Sequence, residues 1–123
     1  PLFPPAGEAR WQALRWQVLG DGILDACQLR RVEDKIREKH MQSAGWIARQ
    51  KRTVERALAA LEREASAIGQ SPVTIGHISV GCALGYLDLR FPQDDWRTTH
   101  PALAAWYADF AQRPSMAATA PGG

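Results

Sequence analysis

The sequence has 123 residues, enough for one domain with a real core. Apolar residues make up 46% and charged residues 23%, which excludes a disordered chain. The 15 Lys and Arg are interspersed with 13 Asp and Glu, so a net charge of +2 argues against a nucleic-acid partner.

No apolar run reaches bilayer length, so no membrane partner is expected. The opening Pro1-Leu2-Phe3-Pro4-Pro5 has neither the positive nor the apolar region of a signal peptide. A cytoplasmic protein follows, with Cys27 and Cys82 as reduced core residues; a disulfide or a reactive thiol is the lesser alternative. A first residue of Pro rather than Met reads as a fragment or a processed piece.

Residues 1–7 are Pro-rich and end in Gly, the composition of an incoming linker. A long helix is predicted from about Glu8 to Lys39. Leu19, Ile23, Ala26, Leu29, Val32 and Ile36 recur at spacings of three and four, so its apolar stripe drifts around the helix. Glu33 and Arg37 form an i, i+4 pair. Gly20-Asp21-Gly22 interrupts the pattern, marking a kink or a close backbone contact.

A second, amphipathic helix is predicted from about Ser43 to Ile68, with Ile47, Val54, Leu58, Leu61, Ala65 and Ile68 inward. Its basic cluster from Arg49 to Arg56 reads as a solvated face. Gly69 ends it, and a loop follows. The third helix, Thr74 to Arg90, is apolar on nearly every side and therefore central. Thr74 is its N-cap, and Val73 and Ile78 suit a hydrophobic staple. Gly81 and Gly85 would admit a close neighbour. Residues 91–99 read as a polar loop. A fourth helix opens at His100-Pro101, buries Leu103, Trp106, Tyr107 and Phe110, and stops at Pro114. A last turn capped by Ser115 and a frayed tail from Thr119 to Gly123 complete the chain. The fold class is all-α.

No catalytic constellation is complete. The histidines and cysteines are too scattered for a metal pattern, and neither a phosphate loop nor a Gly-x-Ser-x-Gly elbow is present. Asp21 and Asp25, at i, i+4, place two carboxylates on one helical face. They suit an ammonium or guanidinium from outside the domain; solvated acids, or partners for Arg15 or Arg30, are the plainer alternative. Trp11, Arg15 and Trp16 line a pocket or belong to core or interface.

Taken together, Val73-Thr74-Ile75-Gly76-His77-Ile78, Tyr86-Leu87-Asp88-Leu89-Arg90-Phe91, the run from His100-Pro101 to Trp106-Tyr107, and Arg113 to Thr119 resemble the C-terminal helical domain of bacterial cytosolic glutathione transferases. The resemblance implies a helical bundle over residues 8–123, behind the end of an interdomain linker at 1–7. It implies a thioredoxin-like N-terminal domain as partner, which supplies the residue that activates glutathione and is not in this sequence. Glutathione would be the co-substrate, a small apolar electrophile the second substrate, and a homodimer the assembly; no metal is implied. No catalytic residue is assigned to this chain. Trp11, Leu14, Arg15 and Trp16 are the expected electrophile wall, with Trp11 and Trp16 exposed. Asp25 falls where some classes place an Asp that reaches the γ-glutamyl amine across the dimer, and Asp21 lies one turn before it. A non-catalytic protein-interaction module of the same fold is the alternative. The family's Ser/Thr-x-x-Asp capping box has His77 at its last position, which predicts a weaker cap and a gain in stability on replacing His77 with Asp.

Overall fold

The computed structural model describes residues 2–120, and all its regular structure is helical. Helix α1 runs Gly7–Arg31 and passes directly into a π-helical turn, Val32–Ile36. Helices α2 (Ala44–Arg63) and α3 (Ala65–Gln70) are separated by a break at Glu64. Then come α4 (Ile75–Arg90), α5 (Trp96–Thr99), α6 (Pro101–Phe110) and α7 (Pro114–Ala118).

The predicted interruption at Gly20-Asp21-Gly22 does not occur, because α1 is continuous there. Of the two sequence readings, kink or close contact, Gly20 realises the second. A Cβ at Gly20 would stand 2.7 Å from the Ser79 carbonyl carbon on α4. Gly76 of α4 answers it, since a Cβ there would meet the Ala13 carbonyl oxygen at 2.6 Å. These two glycines let α1 and α4 pack backbone to backbone, and α1 packs more on α4 than on any other element. Gly22 faces open space.

Helix α4 is the centre, as expected. Val80, Ala83, Leu84 and Leu87 are buried among Trp16, Ile23 and Cys27 of α1, Leu58 and Leu61 of α2, and Leu103 of α6. Burying so many aliphatic and aromatic side chains, at roughly 1.5–3 kcal/mol each, is the dominant stabilising term. The α2 break positions a carboxylate. Glu64 accepts from Trp16 Nε1 at 3.0 Å and pairs with Arg15 at 2.7 Å. Glu62 caps α6, accepting from the N–H groups of Ala102 and Leu103 at 3.0 and 2.8 Å.

Both sides of the predicted capping box form at α4. Thr74 Oγ1 accepts from the Gly76 N–H at 3.2 Å, and His77 Nδ1 accepts from the Thr74 N–H at 3.0 Å. The Leu2 carbonyl satisfies the Ile75 N–H at 2.9 Å, so the incoming segment is docked on the domain.

Four expectations need correction. Cys82 is exposed on α4, whereas Cys27 on α1 is buried. Ser115 is not a cap: Pro114 occupies the first position of α7, whose N-cap is Arg113. The 91–99 loop contains the short helix α5, which buries Trp96. The drifting stripe of α1 carries Leu29, Val32 and Ile36 out to solvent, whereas Ile23 and Ala26 are core. The tail beyond Ala120 and residue Pro1 lie outside the described residues.

Candidate functional site

Helix α1 is apolar on two sides. One side is core. On the other, Trp11, Leu14, Val18, Asp21, Asp25, Leu29 and Val32 follow one another at spacings of three and four. Such spacing makes a continuous seam along one face of a helix. Trp11 and Val18 are each 69% exposed, and Leu14 is half-buried. The seam is therefore apolar at both ends and acidic in the middle.

The acid pair is on the surface. Asp21 accepts from Ser79 Oγ at 2.9 Å, a link from α1 to α4, and Asp25 is exposed. Neither expected local partner serves them. Arg15 is held by Glu64, whose carboxyl is kept below the ordinary range by that hydrogen bond. Arg30 is buried against the Phe91 ring, 4.0 Å from its centroid, with its guanidinium on Asp94.

The expected electrophile wall divides. Trp11 is open to solvent. Trp16 is 1% exposed, which overturns its expected exposure. Its position on α1 points it at His77, 5.1 Å away ring to ring, and it helps line a cavity of about 250 Å³ beside Pro4, Pro5 and Pro72. Arg15 is occupied by Glu64.

Sequence reasoning missed a larger cavity of about 300 Å³ between α1, α4, α6 and α7. Leu24, Gly81, Gly85, Tyr86, Ala111 and Met116 give it mostly apolar walls. Its polar groups include the Cys82 thiol and the Tyr107 hydroxyl. The hydroxyl lies 3.1 Å from where a Cβ of Gly85 would stand, and burial pushes its pKa up. It therefore stays a protonated donor. Gly81 admits the Phe110 ring, so the neighbour expected at this glycine is α6. The signal was present in the Gly81/Gly85 pair, but spacing alone does not say that the gap is only partly filled.

Among the described residues, no cluster of three His, Cys, Asp or Glu could hold a metal ion. No helix among them is long and apolar enough to cross a membrane.

The family model described as the glutathione S-transferase C-terminal domain matches residues 44–109. The chain therefore belongs to the glutathione transferase family, through its C-terminal helical domain. It is similar to the GST-like protein YibF of Escherichia coli (strain K12), with 31% identity over 107 residues, covering 85% of this chain and 52% of that protein. Among solved structures it is similar to a glutathione transferase family member of Pseudomonas fluorescens Pf-5 with bound glutathione. The identity there is 49% and the TM-score 0.96, over 100% of this chain and 60% of that one. A glutathione S-transferase of Methylobacterium radiotolerans, in complex with glutathione sulfonate, matches at 39% identity and TM-score 0.88, over 100% and 59%. The chain thus spans about half the length of its curated relative and about three fifths of these solved ones. The expected family and all-α class hold.

Proposed function

We propose that this domain forms the wall for the electrophilic second substrate of a glutathione transferase, and much of its dimer contact, beside a thioredoxin-like domain that carries glutathione. The observation that carries the first part is the apolar cavity between α1, α4, α6 and α7. A mostly apolar recess with a few polar groups is the ordinary form of a small-molecule site. The wall is thereby moved from the Trp11–Trp16 segment to Leu24, Tyr86, Tyr107 and Met116, with Trp11 kept for the seam. The reaction would be addition or substitution by the glutathione thiolate on a small apolar electrophile. The glutathione and glutathione sulfonate held by the solved relatives support that co-substrate.

The α1 seam supports the dimer. A row of exposed apolar side chains of this length on one helix is rarely left open. In a two-fold pairing each seam meets its own copy, and Asp21 and Asp25 approach their equivalents. Like charges there need a cation, and the amine of glutathione on Asp25 is the one the family resemblance supplies.

The cavity is tested by titrating the chain with benzylacetone, a small aromatic ketone, and following NMR shifts. Shifts at Leu24, Gly85 and Met116, lost in Ala111→Phe, are expected. Shifts confined to Trp11 and Leu14 would return the wall to the start of α1, and no shifts at all would sink it. For the seam, sedimentation should show a dimer that Asp21→Arg with Asp25→Arg weakens; a clean monomer counts against it.

A further inference from the structure

Another recess lies at the far end of α1 from the linker. The last turns of α1 and α4, the middle of α2 and the segment 91–100 bound a space of about 170 Å³ there. That is room for more than one water and less than a drug-sized ligand needs. Val54, Leu58, Leu87, Phe91 and Trp96 line its depth, and each is buried. None of its lining residues belongs to the cavity between α1, α4, α6 and α7.

The lining carries four charged side chains, and two of them neutralise each other. Arg30 is buried, stacks on the Phe91 ring and holds Asp94 with both terminal nitrogens. The other two, Lys51 and Glu55 of α2, are exposed. Neither forms an ion pair with the other or with any other described residue. They stand one turn apart on the side of α2 that borders the recess. A lysine four residues before a glutamate is the less favourable order for pairing along a helix. At the edge, His100 Nδ1 donates to the Trp96 carbonyl at 2.7 Å, which pins the ring.

An apolar floor thus lies under two uncommitted and opposite charges. A ligand that is only an anion would be drawn to Lys51 and repelled by Glu55, and an amine would meet the reverse. A small head group that carries both charges satisfies both side chains, whose long stems let them close on it. We propose that this recess binds a free α-amino acid with an apolar side chain. Its carboxylate pairs with Lys51 and its ammonium with Glu55. Its side chain covers Leu58, Leu87 and Phe91, and that burial supplies most of the affinity. The rim charges are exposed, so they select the head group more than they hold it. This site goes beyond the electrophile reading and does not depend on it.

The chain is titrated with L-leucine and its backbone amides are followed by NMR. Saturable shifts are expected at Leu87, Phe91 and Thr99, without shifts at Gly85 or Met116. Glycine lacks the side chain, 4-methylpentanoate the ammonium and 3-methylbutylamine the carboxylate. Each should bind at least about fivefold more weakly than L-leucine. Lys51→Ala should weaken L-leucine about fivefold and spare 3-methylbutylamine, while Glu55→Ala should weaken L-leucine and spare 4-methylpentanoate. Both side chains are exposed, so unchanged urea midpoints are expected and separate a lost contact from a lost fold. No saturable shift below about 10 mM L-leucine overturns the site. Equal binding of glycine overturns it too, since the apolar floor would then be unused. L-leucine affinity unchanged in both variants, or matched by 4-methylpentanoate, overturns the amino-acid assignment. Shifts confined to Gly85 and Met116 would place the ligand in the other cavity and sink this site while leaving that one standing.

Discussion

His77 donates its Nε2–H to the Ile68 carbonyl across 2.8 Å, tying the first turn of α4 to α3 over the intervening loop. A carbonyl only accepts, so Nε2 carries the ring proton and Nδ1 is free to accept from the Thr74 N–H at 3.0 Å. One neutral imidazole thus satisfies two backbone groups, at 1% exposure, between the rings of Trp16 and Trp106.

This reverses the expectation for His77→Asp. An aspartate could keep the cap bond but is too short to reach Ile68 and has no ring to fill the space. It would leave a buried carbonyl unsatisfied and place a charge in the core. The substitution should destabilise by about 2 kcal/mol, more than the roughly 1 kcal/mol expected for Thr74→Ala. Urea midpoints decide it. A higher midpoint for His77→Asp would show that charge at the helix end outweighs the Ile68 bond.

The same imidazole sets a pH dependence. Burial lowers the His77 pKa below its ordinary 6.5; the Ile68 bond partly opposes this and Arg113 adds to it. The unfolded chain therefore binds the proton first as pH falls. Stability from this group is complete above the ordinary value and is lost as pH drops through it toward the folded one. Urea midpoints should fall between about pH 7.5 and about pH 5.5, and His77→Gln should flatten that step. An unchanged slope in His77→Gln would assign the step to another group.

The glycines of α1 should respond in opposite directions. In Gly20→Ala the new methyl meets Ser79 backbone atoms at 2.7 and 2.8 Å, so α1 and α4 must separate; a loss of about 3 kcal/mol is expected. In Gly22→Ala the methyl meets nothing within 4 Å, and the unfolded chain loses freedom. A gain of about 0.5–1 kcal/mol follows. Equal losses for both variants would mean that the site of close approach extends to Gly22.

The two thiols should differ in a plain labelling experiment. Cys82 is exposed, and Cys27 is buried with its pKa raised to about 11 by desolvation. One equivalent of thiol per chain should react with Ellman's reagent under native conditions, and the second only in denaturant. Rapid native labelling of both would show that the α1–α4 packing opens on the same timescale.

Much of the architecture is legible in residue order alone, because it depends on local rules. Spacings of three and four place the helices. Thr74 starts the central one, and the near-continuous apolar surface of α4 makes it central, since a helix with that pattern needs neighbours on most of its sides. The i, i+4 pair of Glu33 and Arg37 forms at 3.3 Å, as its spacing requires. What stayed hidden depends on where a helix meets another helix. Trp11 and Trp16 look alike in sequence, yet their difference in position around α1 sends one to solvent and the other against His77. Cys27 and Cys82 both sit in apolar runs, yet only α1 is covered at its cysteine. Gly20 and Gly22 have the same intrinsic freedom, and only the Ser79 backbone tells them apart. Local periodicity thus determined which residues form helices, and how those helices cross decided which faces close, which stay open, and where the cavity lies.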